Sequence, residues 1–318
     1  MAHMGQGGLL APSGPDSPPL PVAAGAPALV QSGLQAWLRV SLPQALTWPS
    51  TVSLPHFWLP DLSVTLPNLQ ELNLVPSPSR TRIASLHSQQ APQLAGLPPG
   101  QLPDPCPLSR VWLDAAAWPP CLTSLSLQHS SLGRLEAPLT SGLTQLQRLE
   151  LQGCELVAVA AQVSQLQGLT QLSLRGNQLT GLPQEVAALS LLRNLDLGCN
   201  MLADLPPALP RALTCLLLDH NQLKQLPQAV MSLVSLQHLS LSSNWLEGLG
   251  HSFALLCDLT HLTRLDLANV STRKQPLVIS TMVLQLQQLR ELDVSNNAAC
   301  EVCCDLSQLP ALKALNQQ

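Results

Sequence analysis

Tyrosine is absent from this 318-residue chain, and only two phenylalanines and three lysines occur in it. Charged residues make up 11%, roughly half the usual share. With so few lysines and a net charge of -4, the chain lacks the basic face that a nucleic-acid binder requires. No apolar run approaches the ~18 residues of a membrane-spanning helix, so no membrane insertion is expected. The opening stretch, MAHMGQGGLLAPSGPDSPPLPVAAGAPALV, has no basic n-region and is interrupted by prolines. No secretory leader is expected from it.

Leucine dominates what is there, and cysteine is the second notable feature. The nine cysteines are an odd number, and most stand where the chain uses small apolar residues. That usage fits reduced thiols and a cytoplasmic setting. In such a setting the sequon Asn269-Val270-Ser271 carries no meaning.

Residues 1–30 are rich in Pro, Gly and Ala without periodicity and read as a disordered tail. Residues 31–121 hold five of the six tryptophans among many prolines. One fragment there, LPNLQELNL, sets Leu69, Leu72 and Leu74 in a recurring phase. This segment reads as an irregular N-terminal cap with degenerate repeats.

From Leu122 the phase is continuous to the end, over residues 122–318. Units of the form L-x-x-L-x-L-x-x-N-x-L begin at Leu122, Leu146, Leu169, Leu192, Leu213, Leu236, Leu262 and Leu289, with a truncated ninth at Leu312. Periods of about 21 to 27 residues suit a solenoid in which each unit covers its neighbour. One unit cannot bury its leucines alone. Each buried leucine contributes roughly 1.5–3 kcal/mol, enough to offset ordering only when both flanks are covered. The asparagines Asn177, Asn200, Asn221 and Asn244 stand where the chain turns out of each strand, where amides can serve backbone groups without ladder partners. Ser130, Cys154 and Val270 replace asparagine in other units.

These units resemble leucine-rich repeats over about 195 residues. The forms LPQEVAALSLL and LPQAVMSLVSL are similar to the intracellular group that includes Ras-pathway scaffolds and their plant relatives. The resemblance implies an α/β solenoid, a horseshoe with short parallel strands on its concave face. Short helices, 3-10 turns or loops would form the convex face. It also implies a non-catalytic scaffold that binds a protein partner through the concave strands. A part in a cytoskeletal or axonemal assembly is one alternative. Another is a ubiquitin ligase's substrate-recognition module, to whose repeats the LPPALPRAL unit is similar. After LKALNQQ no polar capping unit follows, so a covering partner or an incomplete sequence is expected.

Alternate strand residues would line the concave face in three rows. Candidate partner contacts there are Arg148, Glu150, Arg175, Asp196, Cys215, Leu217, Asp219, His238, Asp266 and, just beyond Asn244, Trp245. Leu217 is the large apolar residue on an otherwise polar face, and an apolar anchor in a polar rim suits an interface hot spot. Arg273 and Lys274 fall in an insertion of the seventh unit, where a loop can carry recognition.

Chemistry has few candidates. Cys215 with His238 and Cys199 with His220 each place two metal ligands on adjacent units, but zinc needs at least three from the protein. The Cys300-Glu301-Val302-Cys303 run has no second pair at zinc spacing, and Val302 falls in a core slot. His129, His220 and His238 read as solvated concave residues. No phosphate-binding, dinucleotide or nucleophile-elbow motif occurs. No catalytic site, metal, cofactor or small-molecule substrate is therefore expected.

Overall fold

The computed structural model describes residues 51–55, 70–75, 118, 121–129, 132–135, 143–247, 249–271 and 276–317, all within one unit, Gln44–Gln318. The N-terminal tail 1–30 and most of the expected cap lie outside the described residues, as do Ser130 and the Arg273–Lys274 insertion.

Leucines recurring at period 2 mark the strands of the main sheet, and shorter strands follow some of them. In chain order these are β1 (Thr51–Pro55), β2 (Glu71–Val75), β3 (Ser124–Gln128), β4 (Arg134–Leu135), β5 (Arg148–Gln152) and β6 (Ala158–Val159). They continue as β7 (Gln171–Ser173), β8 (Asn194–Asp196), β9 (Cys215–Leu217), β10 (His238–Ser240) and β11 (Arg264–Asp266). The last are β12 (Leu277–Ile279), β13 (Glu291–Asp293), β14 (Cys300–Val302) and β15 (Ala314–Asn316). Eleven of them form one sheet in the order β1-β2-β3-β5-β7-β8-β9-β10-β11-β13-β15, every neighbouring pair parallel. The sheet therefore extends past Leu122 into the expected cap. β2, which contains the Leu72 of LPNLQELNL, pairs directly with β3.

The leucines that open the units, from Leu122 to Leu289, are buried, as are the strand leucines Leu149, Leu172, Leu195, Leu216, Leu239 and Leu265. Five units then turn back through a 3-10 helix: Ala161–Gln165, Gln184–Ala188, Gln228–Ser232, Thr281–Gln285 and Leu306–Gln308. The first four of these bury one valine each, Val163, Val186, Val230 and Val283. Pro183 and Pro227 precede two of the helices with extended backbone, where a missing N–H costs nothing.

Unit length decides what fills the side opposite the sheet. In the short unit after Leu192, no helix forms between β8 and β9, and Leu205, Pro206, Leu209 and Pro210 are buried by extended chain instead. The longer unit after Leu236 carries α1 (Leu249–Leu256), which buries Phe253 and Leu256. Val302 departs from the sequence expectation: it is 38% exposed rather than core. β14 is paired on one side only, with β12, so nothing covers Val302 as the next unit covers the other core positions.

Candidate functional site

Parallel pairing in register sets like positions of successive units side by side. Arg148, Gln171, Asn194, Cys215, His238, Arg264 and Glu291 make one row across the open face of the sheet. Glu150, Ser173, Asp196, Leu217, Ser240, Asp266 and Asp293 make the next. A third row follows just past the strands, with Arg175, Gly198, Asp219, Ser242 and Ala268.

The structure brings Arg175, Asp196 and Asp219 together. Nη1 and Nη2 of Arg175 donate to Oδ1 and Oδ2 of Asp219 at 3.0 and 2.6 Å, and Nη1 lies 3.5 Å from Asp196 Oδ1. The guanidinium crosses a whole unit by passing over Gly198, where a Cβ would stand 2.1 Å from Nη1. Asp219 is buried, and its hydrogen bonds raise the pKa of Arg175 above its ordinary value. Both partners are thus largely committed to each other.

Other carboxylates serve the backbone. Asp196 Oδ1 accepts from Gly198 N–H at 3.0 Å, Asp266 Oδ1 from Ala268 N–H at 3.1 Å, and Asp293 Oδ1 from Ser295 N–H at 2.9 Å. The recurrence of Asp in this row is therefore a device for satisfying N–H groups where strands end. Although burial pushes its pKa up, hydrogen bonds from Ser295 and Asn316 hold the Asp293 carboxyl below its usual value. Asp266 also accepts from Ser240 Oγ at 3.0 Å. Arg148 and Glu150 stand at the β5 end of the rows, where Arg148 Nε donates to Gln171 Oε1 at 2.5 Å.

Leu217 is half-buried between Asp196 and Ser240 on the adjoining strands. Beside it, Cys215 Sγ lies 3.5 Å from His238 Nδ1. Burial pushes the thiol up and the imidazole down, and Arg264 lowers the histidine further, so the neutral forms of both are favoured. A thiolate–imidazolium nucleophile is disfavoured there. Among the described residues no group of three or more His, Cys, Asp or Glu side chains could hold a metal ion.

Several residues read from the sequence as concave stand elsewhere. Trp245 is 73% exposed but follows the buried Asn244 in the loop leaving β10, so it belongs to the rim and not to the strand face. His129 and His220 occupy a turn with left-handed backbone, φ 52° and 54°, one residue before the asparagine position. That same position has positive φ in successive units, at Gly153, Gly176, Cys199, His220, Ser243, Asn269 and Asn296. Cys199 and His220 thus adjoin in a turn column and not on paired strands.

The asparagines are buried behind that turn. Asn200 Nδ2 donates to Leu174 O and Leu197 O, both at 2.9 Å, and its Oδ1 accepts from Leu179 N–H at 3.1 Å. Asn177, Asn221 and Asn244 repeat the pattern. Sequence reading passed over Asn297, which donates to Leu267 O and Val294 O and accepts from Val270 N–H and Ser271 N–H. Its spacing from Leu289 matches the pattern and would have revealed it. Cys154 stands in for asparagine with its thiol donating to Leu127 O. The Val270 side chain contributes no donor, yet Leu241 O keeps the bond from Asn244 and Leu267 O the bond from Asn297.

Stacked parallel strands, 3-10 returns and a buried asparagine ladder define a leucine-rich-repeat solenoid. No family model and no curated protein sequence matches the chain. Solved structures of this architecture do. An internalin from Listeria monocytogenes matches with 16% identity and a TM-score of 0.51, over 91% of this chain and 94% of its own. The leucine-rich repeat domain of the type III effector XopL matches with 22% identity and a TM-score of 0.50, over 60% of this chain and 75% of that one. TLR13, in its complex with ssRNA13, matches with 20% identity and a TM-score of 0.57. That match covers 80% of this chain, which spans only 37% of the TLR13 chain. Among the described residues no helix is long and apolar enough to cross a membrane.

Proposed function

We propose that this chain is a non-catalytic scaffold that grips a protein partner on the open face of its long sheet. One observation carries the reading. The leucines of each unit are consumed by the core, while the register sets three contiguous rows of largely polar side chains outward, with Leu217 half-buried among them. An apolar residue ringed by polar groups suits a binding hot spot. The pairing of L-P-x-x-V-x-x-L with 3-10 returns supports an intracellular scaffold of the Ras-group type, acting in the cytoplasm.

The test is capture from lysate with wild type beside Leu217→Glu and Trp245→Ala. Loss of the same defined partners with Leu217→Glu, and their retention with Trp245→Ala, supports binding on the sheet face. Equal recovery by all three would refute it. Salt-resistant sedimentation with cytoskeletal fractions would favour a structural role instead.

A further inference from the structure

The relief of the face beside Leu217 is uneven. Next to Leu217 and Asp219 the side chains are small: Ser240 is 4% exposed, Ser242 adjoins it with the two hydroxyls 3.3 Å apart, and Ala268 follows on the next unit. These short side chains leave a low stretch of the face beside Leu217, a recess by side-chain size. Leu217 stands on one side of it and Asp266 on the other, two strand spacings or about 10 Å away.

The charges around this recess are unequal. Asp219 is held by Arg175, but among the described residues the hydrogen bonds of Asp266 come from neutral groups, Ser240 and Ala268. Along the three rows from β5 to β13, six carboxylates face three guanidiniums. One of those, Arg264, pairs with Glu291 at 3.2 Å. The face therefore carries a surplus of negative charge around an apolar wall. A surface of this kind selects positive partners and speeds their encounter.

Building on the reading of this face as a docking surface, we infer that the recess takes a lysine or arginine side chain of the protein partner. Its methylenes lie on Leu217 and its charge sits at Asp266. Long basic side chains combine these two requirements, since the stem is apolar and only the head is charged. An acidic segment would meet uncompensated carboxylates, and a purely apolar one would desolvate Asp266 without a partner.

Random dodecapeptides displayed on phage, panned on the full chain and counterselected on Leu217→Glu, test this directly. The peptides recovered are expected to carry an excess of Lys and Arg, to weaken with added salt, and to bind Asp266→Asn roughly three- to fivefold less tightly. Asp266→Asn keeps an amide oxygen for Ala268 N–H, so its unfolding midpoint should stay near wild type. Glu247→Gln, an exposed rim acid, should bind as wild type does. Peptides that depend on Leu217 but are neutral or acidic, or ignore Asp266→Asn, would overturn this inference and leave the docking face standing. Recovery of no Leu217-dependent peptide would overturn both.

Discussion

Arg175 and Asp219, 44 residues apart, meet in a paired hydrogen bond that spans an entire repeat because Gly198 between them has no side chain. The guanidinium occupies the space that a Cβ at Gly198 would enter, lying 2.1 Å from Nη1 and 2.9 Å from Cζ. Gly198→Ala should therefore displace Arg175 and leave the buried Asp219 without its cation. The expected loss is about 1–2 kcal/mol, discounted because the guanidinium is partly exposed. A double-mutant cycle with Arg175→Gln checks it by urea unfolding. Fully additive losses would show that the two sites are not coupled.

The asparagine ladder predicts a rank order. Asn200→Leu removes bonds to Leu174 O, Leu197 O and Leu179 N–H in a buried setting and should cost roughly 1–3 kcal/mol. Asn194→Ala, on the open face, should cost less. Chemical denaturation giving the opposite order would contradict the structural role assigned to the column.

The turn column allows a test of backbone strain. His220 holds φ 54°, where a Cβ costs about 1–2 kcal/mol and glycine pays little. His220→Ala and His220→Gly both remove the imidazole, but only glycine relieves the strain. The glycine variant should be more stable by roughly 1 kcal/mol. Equal stabilities would mean that the left-handed turn is not strained.

His238 gives the pH dependence its sign. Burial lowers its pKa in the folded chain below the ordinary 6.5, so near and below that value the unfolded chain binds more protons. Its contribution to stability is full above about 6.5, the unfolded value, and falls as the pH drops through the lowered folded value. Unfolding free energies between pH 7 and 5 should fall less steeply in His238→Gln than in wild type. An imidazole proton titration by NMR centred above 6.5 would contradict the assignment.

Much of the architecture is legible in letters. Leucines at fixed offsets predict strands, a shared core and the stacking of units, because one unit's apolar surface can be buried only by its neighbours. The exposed face is less so. Asp219 and Arg175 both read as candidate contacts, yet each largely satisfies the other across a unit that separates them in sequence. Asp196 and Asp266 of the middle row read as candidate partner contacts, and the structure gives them backbone N–H groups to accept from. Trp245 reads as a concave-face contact because an exposed tryptophan can anchor an interface, but the left-handed residue at Ser243 and the buried Asn244 precede it and carry it onto the rim.

By itself the sequence determined the solenoid, its period and its asparagine ladder, since those follow from local spacing and the need to bury leucine. Tertiary structure alone decided which outward residues remain available. That choice depends on side chains from units some 20 to 45 residues apart reaching the same charge or hydrogen bond, and no local pattern encodes such a meeting.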